Sequence, residues 1–188
     1  MTPERLEELI EKFSTRRIAV IGDFFLDKYL DTDPLLLEHS VESGQAAHQV
    51  TGIRRSAGVA GTVVNNLAAL ETGRLHALGA VGNDGEAWDL RRCLSDVGCG
   101  TEFLNGFDVL MTPTYLKPRD ASDPSLSGEH ERYDTKNRSV MPGDVIDAVA
   151  ASLDEVLPKI DAVIIADQVE EDDCGVITAW LRDRLAER

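Results

Sequence analysis

The stretch Arg17-Ile18-Ala19-Val20-Ile21-Gly22-Asp23-Phe24-Phe25-Leu26-Asp27 decides the fold. Ile18 to Ile21 are apolar at successive positions, so both faces of a strand there need cover, as in a parallel sheet sandwiched between helices. Gly22 lets the chain turn. Asp23 then stands just beyond the strand's carboxyl end, the edge at which open α/β sheets bind ligands, and Asp27 follows close behind. On the strand alone two readings stay open: a pair of ligand-binding carboxylates, or a turn cap and a solvated side chain.

Upstream, Thr2-Pro3-Glu4 is a helix start, and Leu6, Leu9, Ile10 and Phe13 repeat at helical spacing up to Ser14-Thr15. Downstream, residues 29–42 mix Asp31, Asp33 and Pro34 with Leu35-Leu36-Leu37, which predicts a short strand or an irregular excursion. Ala46 to Arg54 reads as a half-exposed strand. Ser56 to Leu70 is a small-residue turn running into a helix. Arg74 to Val81 is the next strand and Asp84 to Val97 the next helix. Short extended pieces around Phe103, Tyr115 to Lys117 and Glu131 to Tyr133 surround a polar loop at 120–128, the segment expected to be mobile. Pro142 to Leu157 predicts a helix, Asp161 to Ala166 a buried strand and Asp173 to Ala186 a last helix. Repeated strand and helix units imply an α/β fold: a doubly wound, mostly parallel sheet with helices on both faces, plus a small accessory sheet from about 29–54 and 101–134.

With 188 residues, 43% of them hydrophobic, the chain can bury a substantial core. Nineteen basic against 34 acidic residues give a net charge of −15, which argues against nucleic acid and anionic membrane surfaces as partners. Cys93, Cys99 and Cys174 lack the close pairing of a zinc or redox motif and are expected to be reduced thiols, two of them half-buried on helices. No segment approaches the length of a membrane span and the N-terminus has no leader pattern, so a cytoplasmic protein is expected.

Gly58, Ala60 and Gly61 allow a ligand to approach the backbone where a helix begins with unpaired amides, although tight packing of helix on strand explains the same residues. The glycine spacing is not that of a dinucleotide fingerprint. Asp84 in Val81-Gly82-Asn83-Asp84-Gly85 is expected to cap the following helix. Asp167 repeats the placement of Asp23 at a second strand end. The run Glu170-Glu171-Asp172-Asp173 reads as a solvated, dipole-matched helix start in preference to a magnesium site. His39, His48, His76 and His130 lack metal-ligand spacing, so no metal residue is assigned, and no serine or cysteine sits in a nucleophile elbow.

Gly22-Asp23-Phe24-Phe25-Leu26-Asp27, Gly58 to Leu70 and Gly79-Ala80-Val81-Gly82-Asn83-Asp84-Gly85 occur in the order and spacing of the ribokinase-like (PfkB) carbohydrate kinases. Through Gly-Asp-x-x-Leu-Asp and Ser40-Val41-Glu42 the chain most resembles the heptose-phosphate kinases of ADP-heptose synthesis. The resemblance implies a doubly wound core with a β lid that closes over the sugar and often makes a dimer contact. It places Asp23 and Asp27 in or beside the sugar site as hydroxyl acceptors. Gly58 matches the first glycine of the family's Gly-Gly-x-x-Asn, Asn66 matches the asparagine of the following helix, and Lys117 and Arg132 fall on lid strands within reach of a sugar phosphate.

Val59 stands where the second glycine is usual and Thr62 where the sugar-binding asparagine is usual, so the hydrogen-bond pattern offered to a sugar is altered. The family's nucleotide site, magnesium-associated motif and catalytic base lie in the second half of chains of roughly 300 residues, about two ordinary domain lengths. The expectation is therefore that residues 1–188 are the N-terminal, sugar-binding part of one such domain, with the nucleotide-binding part absent. ATP and Mg2+ belong to the longer protein and are not expected to bind well to this chain, which contains no catalytic residue. The alternative is a non-catalytic sugar-binding or dimerisation module of the same fold.

Overall fold

The computed structural model describes residues 2–123, 125 and 128–187. Among these residues the elements run α1 (Pro3–Glu11), β1 (Arg17–Gly22), β2 (Phe24–Thr32), β3 (Glu38–His39), β4 (Ala46–Ala47), β5 (Val50–Val59), α2 (Ala60–Ala69), β6 (Arg74–Gly82), α3 (Gly85–Asp96), β7 (Cys99–Phe107), β8 (Thr114–Asp120), β9 (Tyr133–Thr135), α4 (Gly143–Val156), β10 (Ala162–Ala166) and α5 (Ala179–Ala186). The main sheet has the order β10-β1-β6-β7. Its pairs are all parallel. Alternation along β1 divides its side chains between two cores. Ala19 and Ile21 pack with Val145, Val149 and Leu153 of α4 and Leu181 of α5. Val20 joins Val64 of α2 and Leu90 and Leu94 of α3 on the opposite face. The sheet is thus covered on both sides, as the unbroken apolar run of β1 requires.

A second sheet, β5-β2-β8-β9, stands beyond the carboxyl end of the first. β2 pairs antiparallel with β5 and parallel with β8. Only Asp23 separates β1 from β2, so the expected turn at Gly22 is instead a direct passage from one sheet into the next. Gly22 has φ of +152°, and a Cβ there would collide with the Ala166 carbonyl oxygen, so only glycine fits beside β10.

Several expectations need correction. The segment 29–42 was expected to be a short strand or an irregular excursion; its first four residues complete the nine-residue β2, which has a partner on each side, and the remainder is irregular apart from a 3-10 turn at Pro34–Leu36 and the two-residue β3. The strand expected at 46–54 lies at Val50–Val59, which takes in the start of the expected small-residue turn. β7 belongs to the parallel sheet, not to the accessory one. The expected buried strand near 161–166 is an edge strand, paired among the described residues only with β1, and Ile165 remains 49% exposed. The last helix starts at Ala179 and not at Asp173, because Asp173 takes a left-handed φ of +56° and its carboxylate accepts from the Ala179 amide. Glu170 to Asp173 therefore precede a turn; Glu171 pairs with Arg138 at 2.9 Å. The helix α1 has its Thr2 cap, yet Leu6 and Ile10 are exposed. Of the cysteines, Cys93 is half-buried on α3, whereas Cys99 and Cys174 are buried outside helices. Burial, with the nearby Glu102 charge, pushes the Cys99 thiol up to about 12. Of the polar loop at 120–128, Pro124, Leu126 and Ser127 lie outside the described residues.

Candidate functional site

Register places the side chains of the second sheet. Asp27 lies opposite Ser56 on β5 and Tyr115 on β8, and Tyr29 lies opposite Arg54 and Lys117. Asp31 lies opposite Gly52 and Arg119. Because directly paired residues share a face, Asp27, Tyr29, Asp31, Arg54, Tyr115, Lys117 and Arg119 form one polar, aromatic surface. Its centre is a half-buried ion pair, with the Lys117 Nζ donating to Asp27 Oδ1 at 2.6 Å and approaching the Tyr29 hydroxyl at 3.4 Å. Burial alone would lower the Lys117 pKa, but the Asp27 carboxylate and Tyr29 outweigh it and hold the ammonium above its ordinary value.

Two tyrosine rings frame this pair. Lys117 sits 4.9 Å from the Tyr29 centroid and 5.6 Å from that of Tyr115. Arg54 stacks on Tyr29 at 4.7 Å and binds Asp31 through two nitrogens, at 2.7 and 2.8 Å. The Arg54 hydrogen bonds hold the Asp31 carboxyl below the usual carboxylate range. Arg132 stacks on Tyr115 at 4.7 Å while paired with Asp134, and Lys136 approaches the same ring at 5.8 Å. Such cation–aromatic contacts hold long side chains in place at a modest gain each.

Gly58 completes the floor. Any Cβ there would collide with the Asp27 carboxylate, so the glycine lets that side chain lie against the backbone of β5. Val59 follows with φ +57° and ψ −112°, a conformation that a β-branched residue adopts only under strain. α2 starts at Ala60, whose amide donates to the Asp23 carbonyl at 3.1 Å. Thr62 and Asn66 lie exposed one turn apart on this helix.

Asp23 is placed differently. It is 5% exposed, and its carboxylate accepts from the Val176 amide at 2.8 Å and the Gln168 amide at 3.2 Å. Burial raises its pKa, against the lowering effect of those amides, and the neighbouring Asp167 charge adds to the rise. Gly175 packs against it, since a Cβ there would sit 2.9 Å from Asp23 Oδ1. Asp23 thus ties the loop after β10 to the end of β1. Asp27, Gly58 and Lys117 come together directly, and Arg132 joins them through Tyr115. Tyr29, Arg54, Tyr115, Arg119 and Lys136 were missed by the sequence reading, although the alternation Asp27, Tyr29, Asp31 is the signal that would have found three strands' worth of neighbours. Asp84 caps α3 as expected, accepting from Ala87 at 2.8 Å. Among the described residues no group of three or more His, Cys, Asp or Glu side chains is arranged to hold a metal ion.

No protein-family model matches the chain. A carbohydrate kinase from Agrobacterium tumefaciens superposes with a TM-score of 0.50 at 14% identity, covering 80% of this chain and 45% of that one. The fold is that of the ribokinase-like carbohydrate kinases, incomplete relative to them. In sequence, the chain is similar to bifunctional HldE proteins. The protein from Marinomonas sp. (strain MWYL1) is 31% identical over 156 residues, covering 82% of this chain and 30% of that protein. The protein from Trichlorobacter lovleyi is 27% identical over 188 residues, covering 95% and 34%. The chain thus spans about a third of the length of these relatives. These similarities bear out the resemblance to the ribokinase-like (PfkB) carbohydrate kinases.

Proposed function

We propose that this chain is the sugar-binding, N-terminal part of an ATP-dependent carbohydrate kinase that transfers the γ-phosphate to a hydroxyl of a sugar or sugar phosphate. The observation that carries this reading is the Asp27–Lys117 pair, set against Gly58 and framed by Tyr29 and Tyr115. A carboxylate and an ammonium held side by side accept from and donate to vicinal hydroxyls, and aromatic rings cover the apolar face of a sugar. Arg132, Arg54 and Lys136 surround the pair with positive charge suited to a phosphate substituent. Thr62 and Asn66, on the first turns of α2, are the hydroxyl and amide that complete the binding set, and Asp23 acts beneath it by holding the loop after β10. The second sheet serves as the lid.

ATP and Mg2+ act in the longer protein. Phosphoryl transfer needs both of them positioned against the acceptor hydroxyl, so this reading makes the chain inactive alone. Leu35, Leu36, Val41, Val50 and Ile53 are exposed where β2 and β5 reach their outer end, which supports a homodimer formed through the lid. Among the described residues no helix is long and apolar enough to cross a membrane. The chain is proposed to work in the cytoplasm on small molecules, without nucleic acid or membrane partners.

A second reading, a non-catalytic sugar-binding or dimerisation module, is favoured by the strained Val59 and by Thr62 in the positions of the family's glycine and asparagine. Calorimetric titration with a panel of sugars and sugar phosphates tests binding by this chain. An ATP-coupled phosphorylation assay on the longer protein tests transfer. Saturable binding lost in Asp27→Asn, with turnover in the longer chain, supports the kinase reading. Binding without turnover selects the module, and absence of both rejects the sugar site.

A further inference from the structure

His48 and His130 lie 82 positions apart, yet their rings meet in a tilted contact with centroids 5.1 Å apart at an interplanar angle of 57°. They lie away from the Asp27 surface, lining an open cavity of about 430 Å³ with Pro118, Glu131 and Tyr133. Both rings are solvent-accessible. Their backbones are anchored: the His130 amide donates to the Pro118 carbonyl at 2.8 Å, and the Gln49 carbonyl next to His48 accepts from the Asp33 amide at 3.2 Å. Two imidazoles bound to one tetrahedral ion at about 2.0–2.1 Å have ring centres about 5 Å apart, by simple trigonometry. The 5.1 Å between the two ring centroids matches that value and is also an ordinary ring-contact distance.

We propose that His48 and His130 form a two-histidine site for a divalent first-row transition ion of the zinc class. Imidazole pairs favour such ions over Mg2+ or Ca2+, which prefer oxygen ligands. No third His, Cys or carboxylate joins them in a ready-made set among the described residues, so water fills the remaining positions, with Glu131 on the cavity wall. The surroundings favour a cation: Asp120, Glu129 and Glu131 lie on the same segments, and the whole chain carries a net charge of −15. Arg119, whose guanidinium is turned to the Asp123 carbonyl and to Asp31, is the adjoining positive charge. An ion held here fastens the excursion that ends at β5 to the connection between β8 and β9, bracing the outer part of the second sheet. Neither contact involves the Asp27 surface, so the inference does not depend on the sugar-binding reading.

The test is calorimetric titration of the untagged, chelator-stripped chain with Zn2+ and with Ni2+. One saturable site is expected. His48→Ala and His130→Ala should each weaken it by at least the roughly 10–100-fold that loss of an outer-shell partner costs. His39→Ala, on a separate strand, should leave it unchanged, and Mg2+ should not compete. Proton NMR of the wild-type histidine rings gives a second readout, with the His48 and His130 signals shifting or broadening while those of buried His76 stay fixed. No saturable uptake, uptake that survives both alanine variants, or ring signals that do not respond would each overturn the proposal.

Discussion

β1 and β2 are consecutive strands separated by one residue, yet β1 lies in a sheet buried on both faces and β2 in a sheet with one polar, charged face. Asp23 and Asp27 mark the two sides of that boundary. Asp23 spends its hydrogen-bonding capacity on backbone amides of a loop 145 and 153 positions away, whereas Asp27 is met by a lysine side chain and left accessible on one side. Two carboxylates four residues apart thus do different work. A buried carboxylate already surrounded by amides organises the fold, and one balanced by a movable ammonium can exchange partners with a ligand.

The comparison can be broken most forcefully in the core. Leu153→Ala, at a fully buried α4 position, should cost about 2–5 kcal/mol, while Tyr29→Ala on the polar face should cost much less and act on binding. Chemical denaturation of both variants checks the contrast; equal losses would mean that the second sheet is as much core as the first. Gly58→Ala comes next. Its methyl group would displace the Asp27 carboxylate, so sugar binding should fall by tenfold or more, about 1.4 kcal/mol, in a titration that leaves the fold intact by circular dichroism.

Asp23 sharpens the comparison through pH. Its folded-state pKa lies above the ordinary 3.8, so the stability it contributes is fully present below 3.8 and declines as pH rises through the folded value. Asp23→Asn removes that titration. Melting temperatures measured from below 3.8 to neutrality should therefore show the wild type losing ground to the variant as pH rises. A difference that grows in the opposite direction would assign Asp23 a lowered pKa and a different environment.

The smallest effect is expected at Val59. Val59→Gly relieves a left-handed conformation that costs about 1–3 kcal/mol, offset by the greater freedom of glycine in the unfolded chain, for a net gain of about 1 kcal/mol. A loss of stability on this change would mean that the isopropyl group packs well enough to outweigh the strain.

Much of the main sheet is legible in the sequence because its strands are apolar on both faces and its helices carry clear periodicity, as in Ile18 to Ile21 and Val145 to Leu153. The second sheet is harder to read. Its strands alternate apolar with charged residues, and the same pattern at Thr114 to Asp120 suits an exposed loop edge as well as a strand. β7 was misplaced for the related reason that Thr101, Glu102 and Asn105 dilute its apolar character, although β6 beside it supplies the partner.

The sequence by itself determined that Ile18 to Ile21 form a strand covered on both faces, that the chain leaves it at Gly22 with Asp23 and Asp27 close behind, and that small residues at Gly58 to Gly61 lead into a helix. Local propensity and motif spacing are properties of short segments, so these conclusions needed no partner. Only the tertiary structure decided that Asp23 faces inward to Gln168 and Val176, that Tyr29 and Tyr115 frame the Lys117 ammonium, and that His48 meets His130. Each of those facts depends on strand order and register, which bring together residues whose separation in the chain carries no signal of contact.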